Sequence, residues 1–440
     1  MYKTTAWLYR YFGLERLGTD VRTEVSAGIT TFMTMAYIVI VNPKILEAAG
    51  IPLGAAMVAT ILSAFFGTLC MGIYARRPFA IAPYMGENAF IAFTVVKILG
   101  YSWQTALGAV FIGGLLFTVL TLLKIRGWLI NAIPVSLKYS FAVGIGLFLT
   151  FIGLNQIGIV RGGVGGVPVR VGNMHDTGVL IGVFGFMLIS ILMIRKIKGA
   201  ILLSIITTTL LSIVCGITVF PERLVGLPPS LAPTLFKLDI TGALSWGFFS
   251  VILTVFLMDF VDTMGTLIGV SARAGFLDGE GNLPEVEKPM LVDALSTMFG
   301  ALLGTTTAGT FIESATGIEE GGRSGLTAVV TAILFLGTLC FAPFLTIVPP
   351  CAYGPALVMV GLLMLKPITL IPFDDFTELI PAFCVIVLMS FTYNIGIGIT
   401  AGFIVYPLLK VATGRYREIT PGLWVLFTTC LLFYILYPYG

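Results

Sequence analysis

Charge is what this sequence has least of. Only 11% of its 440 residues are Asp, Glu, Lys or Arg, while 57% are hydrophobic and the mean hydropathy is +1.02. Soluble domains carry about 25% charged residues, and a soluble fold of this composition would have no polar skin. The net charge of +3 is too small to point to a nucleic-acid partner. Histidine occurs once, at His175, in a polar loop beside Asn173 and Asp176; one isolated imidazole makes no metal site. The six cysteines are scattered in or beside apolar segments without a CxxC pair, and read as packing residues rather than a disulfide or metal framework. With no nucleophile–base pair and no metal cluster, enzyme chemistry inside a membrane has nothing to work with. No cofactor or metal is expected. The first 22 residues are aromatic and charged rather than patterned as a cleavable signal.

Long apolar runs are abundant. A bilayer-spanning helix needs about 20 mostly apolar residues, and full spans are expected near 24–42, 53–74, 105–123, 137–154, 177–194, 200–219, 245–271, 290–304, 325–343, 350–365, 378–394 and 396–412. Segments near 84–98 and 312–322 are too short or too polar to cross alone. Residues 422–437 form a further apolar run, either a fifteenth span or a helix at the interface. With the N-terminus inside, this threading puts nineteen of the 25 Lys and Arg on the inner side, Lys124, Arg126 and Lys410 among them. That is the bias expected of a correct threading, because one miscounted helix would invert the second half.

Two segments break the rule that membrane helices avoid polar, Gly- or Pro-broken backbone unless protein or a water-filled cavity receives it. One runs from Phe79 through Pro83, Gly86, Glu87 and Asn88 to Phe90. The other runs from Thr305 through Gly309 and Glu313 to Gly317. Each reads as an extended strand entering the membrane, followed by a short helix. Each is also the third element of a set of seven. An odd repeat inverts its second copy, and matched interruptions in two halves point to a transporter's binding site. The half-helix N-termini then face each other with free N–H groups.

Asp259 and Asp262 lie one turn apart on one face of the span 245–271. Keeping carboxylates in mid-membrane costs several kcal/mol, so the pair suits a group that holds or releases a proton according to its surroundings. Glu313 is a third candidate. Glu87 either faces the cavity beside Asn88 or points to solvent. Glu319 and Glu320 read as interfacial partners of Arg323, and Asp293 reads as structural.

These residues carry a resemblance. Gly28-Ile29-Thr30-Thr31-Phe32-Met33-Thr34-Met35-Ala36-Tyr37-Ile38, Gly86-Glu87-Asn88-Ala89, the block from Asp259 to Leu267, and the block from Glu313-Ser314-Ala315 through Glu320 to Thr327 occur in order at fitting spacing. The chain resembles the nucleobase–ascorbate (nucleobase:cation symporter-2) superfamily, and within it the AzgA-like adenine/guanine/hypoxanthine permease branch, over nearly its whole length. The resemblance implies an all-α polytopic membrane protein of about fourteen segments in two inverted seven-segment repeats. It further implies a core domain (24–123 and 245–343), a gate domain (137–219 and 350–412) and usually a homodimer; the Lys and Arg distribution makes 1–23 a cytoplasmic segment, and the cell membrane is the expected location. It assigns substrate binding to Asn88, Asp259 and Glu313, and a transport role to the carboxylate of Asp262. Many relatives carry an apolar residue where this chain has Glu87.

The chemistry agrees. A purine is a flat ring with N–H donors and ring-nitrogen or carbonyl acceptors on its edges, and carboxylates with an Asn amide match them. Phe32, Phe90, Phe260 or Phe311 can stack on its face; Thr31, Gly309 and Glu87 are further candidate lining positions. The expectation is purine uptake by proton symport, although sodium can use carboxylates too. The alternatives are a uracil or xanthine permease of the same fold and, less favoured, an anion transporter of the sulfate-transporter type, for which three carboxylates are a poor site.

Overall fold

The computed structural model describes residues 2–123, 132–221, 223–245, 248–278 and 283–437. Lys124, Arg126 and positions 246–247 of the span expected at 245–271 lie outside the described residues. Within them, nine helices are long and apolar enough to cross a membrane, among them Val21–Glu47, Val135–Ile157 and Phe249–Ala274. Three more of the expected spans are shorter helices, Ala200–Val214, Glu287–Leu303 and Phe376–Phe391. With the two broken segments they complete two sets of seven in the expected order. The chain is an all-α polytopic membrane protein of two inverted seven-segment repeats, in a core-plus-gate architecture.

The first span is not continuous. Its helix ends at Met35, turns through Ala36 and Tyr37, and resumes at Ile38. The run at 422–437 is a helix, Pro421–Leu436, packed on Ile395–Ala412 and Phe249–Ala274.

The inversion is visible where the broken segments meet. The strand Ile81–Pro83 pairs antiparallel with Ala308–Thr310, with Ala82 opposite Gly309, as equivalent elements of two inverted copies must. Tyr84 N donates to Thr307 O at 3.0 Å and Phe311 N to Ala80 O at 2.9 Å, extending the ladder at both ends. A two-stranded ribbon leaves its outer edges bare, and bare peptide groups cannot be left in hydrocarbon. Two threonines close them in matching fashion. Thr68, on the second helix of the first repeat, contacts both N and O of Ile81 at 2.9 Å. Thr297, on the second helix of the second repeat, accepts from Ala308 N at 3.0 Å and donates to Ala308 O at 3.1 Å. Asp293 accepts from Thr310 N at 3.2 Å, in keeping with its structural reading.

Packing falls into two groups. Val135–Ile157 lies against Pro350–Leu363 and Phe376–Phe391, while the helices of 21–122 pack with Glu287–Leu303 and Gly325–Gly337. At the end of the first group, Lys410, counted from the sequence only as an inner-side cation at the end of the span 396–412, has partners that the sequence did not show. It sits on Ile395–Ala412, fully buried, 2.7 Å from both Glu378 and Glu418. Arg415 bridges Glu418 at 2.7 Å and Asp375 at 2.6 Å. Glu319 and Glu320 differ too. They pair with Arg273 and Lys198, because Arg323 turns inward to the carbonyls of Ile318 and Gly322.

The Thr68→Val substitution keeps the shape but orphans both peptide groups of Ile81. Each buried orphan costs about 1–3 kcal/mol, so the melting temperature in detergent falls clearly, whereas Thr428→Val on the exposed face of Pro421–Leu436 leaves it unchanged. The charged cluster predicts an acid limit. The Thr377 hydroxyl and then Arg415 hold the Asp375 carboxyl well below its usual range, and Arg415 followed by Lys410 lowers Glu418. Depressed carboxyls stabilise the fold above their unfolded values, roughly pH 4, and this is lost as pH falls through the lowered folded values. The melting temperature therefore declines below roughly pH 4, and the decline is smaller in Glu418→Gln.

Candidate functional site

The site is built around the strand crossing, because the half-helices start there. Pro83 cannot continue a ladder as a donor, and the chain turns at Tyr84 into the half-helix Met85–Ala89, prolonged by a wider π-type coil over Phe90–Ile98. In the second repeat the strand ends at Thr310, and the half-helix Ser314–Glu319 follows. Gly309 is required at the crossing: a Cβ there would lie 2.6 Å from Cζ of Tyr84. The Tyr84 ring lies parallel to Phe311 with centroids 5.9 Å apart, one ring from each broken segment. Its hydroxyl donates to Thr310 O at 3.2 Å and lies 3.3 Å from Thr266 Oγ1.

Helix Phe249–Ala274 runs past this crossing and brings Asp259 to it, 1% exposed. Asp259 Oδ2 is 3.2 Å from Thr297 Oγ1, the hydroxyl that closes the second strand, while Oδ1 is buried with no hydrogen-bond partner. Asp262, one turn on, is only partly buried. Glu87 is fully buried, so its solvent-facing alternative is excluded; its Oε2 accepts from Thr307 Oγ1 at 2.6 Å across the two breaks. Glu87, Asp259 and Asp262 are close enough for their charges to interact. Glu313, half-buried at the head of its half-helix, accepts from the Tyr37 hydroxyl at 2.6 Å.

The other expected residues are spread more widely. Asn88 Nδ2 donates to Asn42 Oδ1, and Asn42 in turn donates to Thr60 Oγ1 at 2.8 Å and Thr305 Oγ1 at 3.1 Å. Asn88 Oδ1 is buried without a partner. Thr31 is buried, its hydroxyl unpartnered, against Gly317 on the second half-helix. Phe32 packs edge-on to Phe335 at 5.4 Å, Phe260 packs among Phe117 and Phe256, and Phe90 is buried in the core. Of the four candidate aromatics, only Phe311 stands at the crossing.

Sequence reading missed Tyr37, Tyr84, Thr307 and Thr297. Tyr37 lies in the first quoted block, where the helix break that frees it gives no Gly or Pro signal. Thr307 and Tyr84 lie within the breaks, but only the strand register shows which residue each one meets. Among the described residues, no group of three or more His, Cys, Asp and Glu is arranged to hold a metal ion.

Comparison with known proteins bears on this arrangement. A family model described as a permease family (Xan_ur_permease) matches residues 22–404. The chain is 43% identical over 412 residues to the adenine permease AdeQ of Escherichia coli, covering 94% of this chain and 92% of that one. It is 40% identical over 436 residues to the guanine/hypoxanthine permease PbuG of Bacillus subtilis, covering 97% and 99%. The transmembrane domain of a cyanobacterium bicarbonate transporter, BicA, superposes with a TM-score of 0.65 at 16% identity, covering 87% of this chain and 97% of that one; this likeness is one of fold alone.

A Cβ at position 309 must displace the Tyr84 ring. Gly309→Ala is expected to lower stability by about 1–3 kcal/mol, the range for overpacking a filled core, read as a drop in melting temperature in detergent. An unchanged melting temperature would mean that the crossing is looser than described.

Proposed function

The chain belongs to the Xan_ur_permease family of permeases, and from that premise we propose that it carries purine nucleobases (adenine, guanine or hypoxanthine) into the cell by proton symport. The observation that carries the reading is the unpaired, buried Oδ1 of Asp259 at the crossing of the two broken segments. A buried acceptor without a donor is costly, and a purine N–H supplies the missing donor. Glu313, contributed by the opposite half-helix, takes a second N–H through the oxygen that Tyr37 does not engage. Asn88 shapes the pocket from the first half-helix, with an unpartnered Oδ1 of its own. Thr31, Phe32, Phe260, Phe311 and Gly309 are secondary lining positions, of which Phe311 and Gly309 lie against Tyr84 at the crossing.

Asp262 is the coupling group in this reading. It stands one turn from Asp259 and within the field of Glu87. A proton taken up there lowers the negative charge of the loaded site, so that the site can cross the low-dielectric interior. The core (24–123 and 245–343) then moves against the gate (137–219 and 350–412), and purine and proton leave together on the inner side. The residues 1–23 lie in the cytoplasm, the membrane is the cell membrane, and two copies pair as a homodimer.

The test is uptake of radiolabelled adenine, guanine and hypoxanthine in transporter-deficient cells, with and without a protonophore. Wild type is expected to accumulate at least one purine in a protonophore-sensitive manner, and Asp259→Asn to abolish it at equal surface expression. Well-expressed wild type that moves no purine would refute the substrate; uptake indifferent to the protonophore but dependent on sodium would refute the coupling ion.

A further inference from the structure

Glu87 has no assigned task in the scheme above, yet it occupies one of the most demanding positions in the molecule. It lies in the first turn of the first half-helix and is fully buried. Oε2 is satisfied by the Thr307 hydroxyl at 2.6 Å. Oε1 is buried and has no hydrogen-bond partner. Its surroundings are acidic: Asp259 and Asp262 on Phe249–Ala274 act on it electrostatically. The second break offers the Thr307 hydroxyl, and the gate helix Val135–Ile157 presents the apolar Ile145 at neighbouring Gly86. Tyr84, three residues earlier in the chain, directs its hydroxyl to Thr310 O and lies in the fields of Asp293 and Asp262. Among the described residues, the ion pairs formed do not include Glu87, Asp259 or Asp262.

An ionised Glu87 would face two like charges, with no ion-pair partner among the described residues and with one buried oxygen unpaired. Such an arrangement costs several kcal/mol. A neutral carboxylic acid fits the same geometry. One of its oxygens remains an acceptor for Thr307, and the other becomes an O–H donor. That donor has no protein acceptor at Oε1, so it is available to a bound molecule. A purine edge sets ring-nitrogen or carbonyl acceptors beside N–H donors, and the unpaired Oδ1 of Asp259 is an acceptor for the latter.

We propose that Glu87 contacts the substrate as a neutral acid, its Oε1–H donating to a ring nitrogen or carbonyl of the purine while Asp259 Oδ1 accepts an N–H of the same ring. The inference rests on the purine reading and adds to it a specificity-determining donor on the first repeat. The site then holds a donor and an acceptor from different elements, and it favours ligands that carry both on one face.

The test is the KM and Vmax of hypoxanthine uptake for wild type, Glu87→Gln and Glu87→Leu, with the amount of each protein at the membrane measured in parallel. Gln keeps a donor and an acceptor without a titrating proton, and is expected to raise KM by about threefold. Leu keeps neither, and is expected to raise KM by about thirtyfold, equivalent to roughly 2 kcal/mol. A purely structural role would instead lower the amount of protein and the Vmax, leaving KM in place. Equal KM increases in Gln and Leu would overturn the proposal in favour of a charged acceptor, and an unchanged KM in Leu would overturn it outright. If Leu does not reach the membrane, Gln alone decides: a rise beyond about tenfold contradicts a neutral donor. Wild type that carries no purine refutes the purine reading itself, whereas purine uptake with KM unmoved by Glu87→Leu refutes only this inference.

Discussion

Backbone polar groups in a membrane interior must find partners within the protein, and here two interrupted segments find them in each other. Ile81–Pro83 and Ala308–Thr310 pair antiparallel, and Thr68 and Thr297 close the outer edges from equivalent helices of the two repeats. Everything at the site follows from that crossing. It fixes where the half-helices begin, and so where Glu87, Asn88 and Glu313 can stand. It also ties the scaffold to the chemistry, because the hydroxyl of Thr297 that closes a strand edge lies 3.2 Å from Asp259 as well.

The contacts between the two packing groups are fewer and of a different kind. Thr94, on the prolonged first half-helix, donates to Tyr393 O at 2.7 Å, and Lys198 pairs with Glu320 beyond the second half-helix. Gly86 sits close against Ile145. Each of these three is worth about 1 kcal/mol or less, and apolar helix packing, such as Phe249–Ala274 on Ile395–Ala412, joins the groups as well. The paired strands are a shared ladder buried inside one group.

Much of the fold was legible because membrane spans are written in composition. Long apolar runs gave the helix order, and the Pro83–Gly86 and Thr305–Gly309 interruptions marked both breaks. Asp259, Glu313 and Glu87 could be named because a carboxylate in such surroundings stands out. What could not be read is which group each one meets. The Tyr37–Glu313 bond joins residues 276 positions apart, through a helix break that carries no proline or glycine. Thr307 reaches Glu87 only in the observed strand register. Lys410 looked like one more inner-side cation because hydropathy counts charge but not ion pairing; two carboxylates 2.7 Å away make its burial tolerable. Glu319 and Glu320 were matched to the nearest cation in sequence, whereas their partners come from distant elements.

The most direct test is a structure of the protein with hypoxanthine bound. A flat ligand is expected at the strand crossing, within hydrogen-bond distance of both Asp259 and Glu313 and beside Phe311. A ligand seated between the gate helices, or one at the crossing that contacts neither carboxylate, would contradict that expectation.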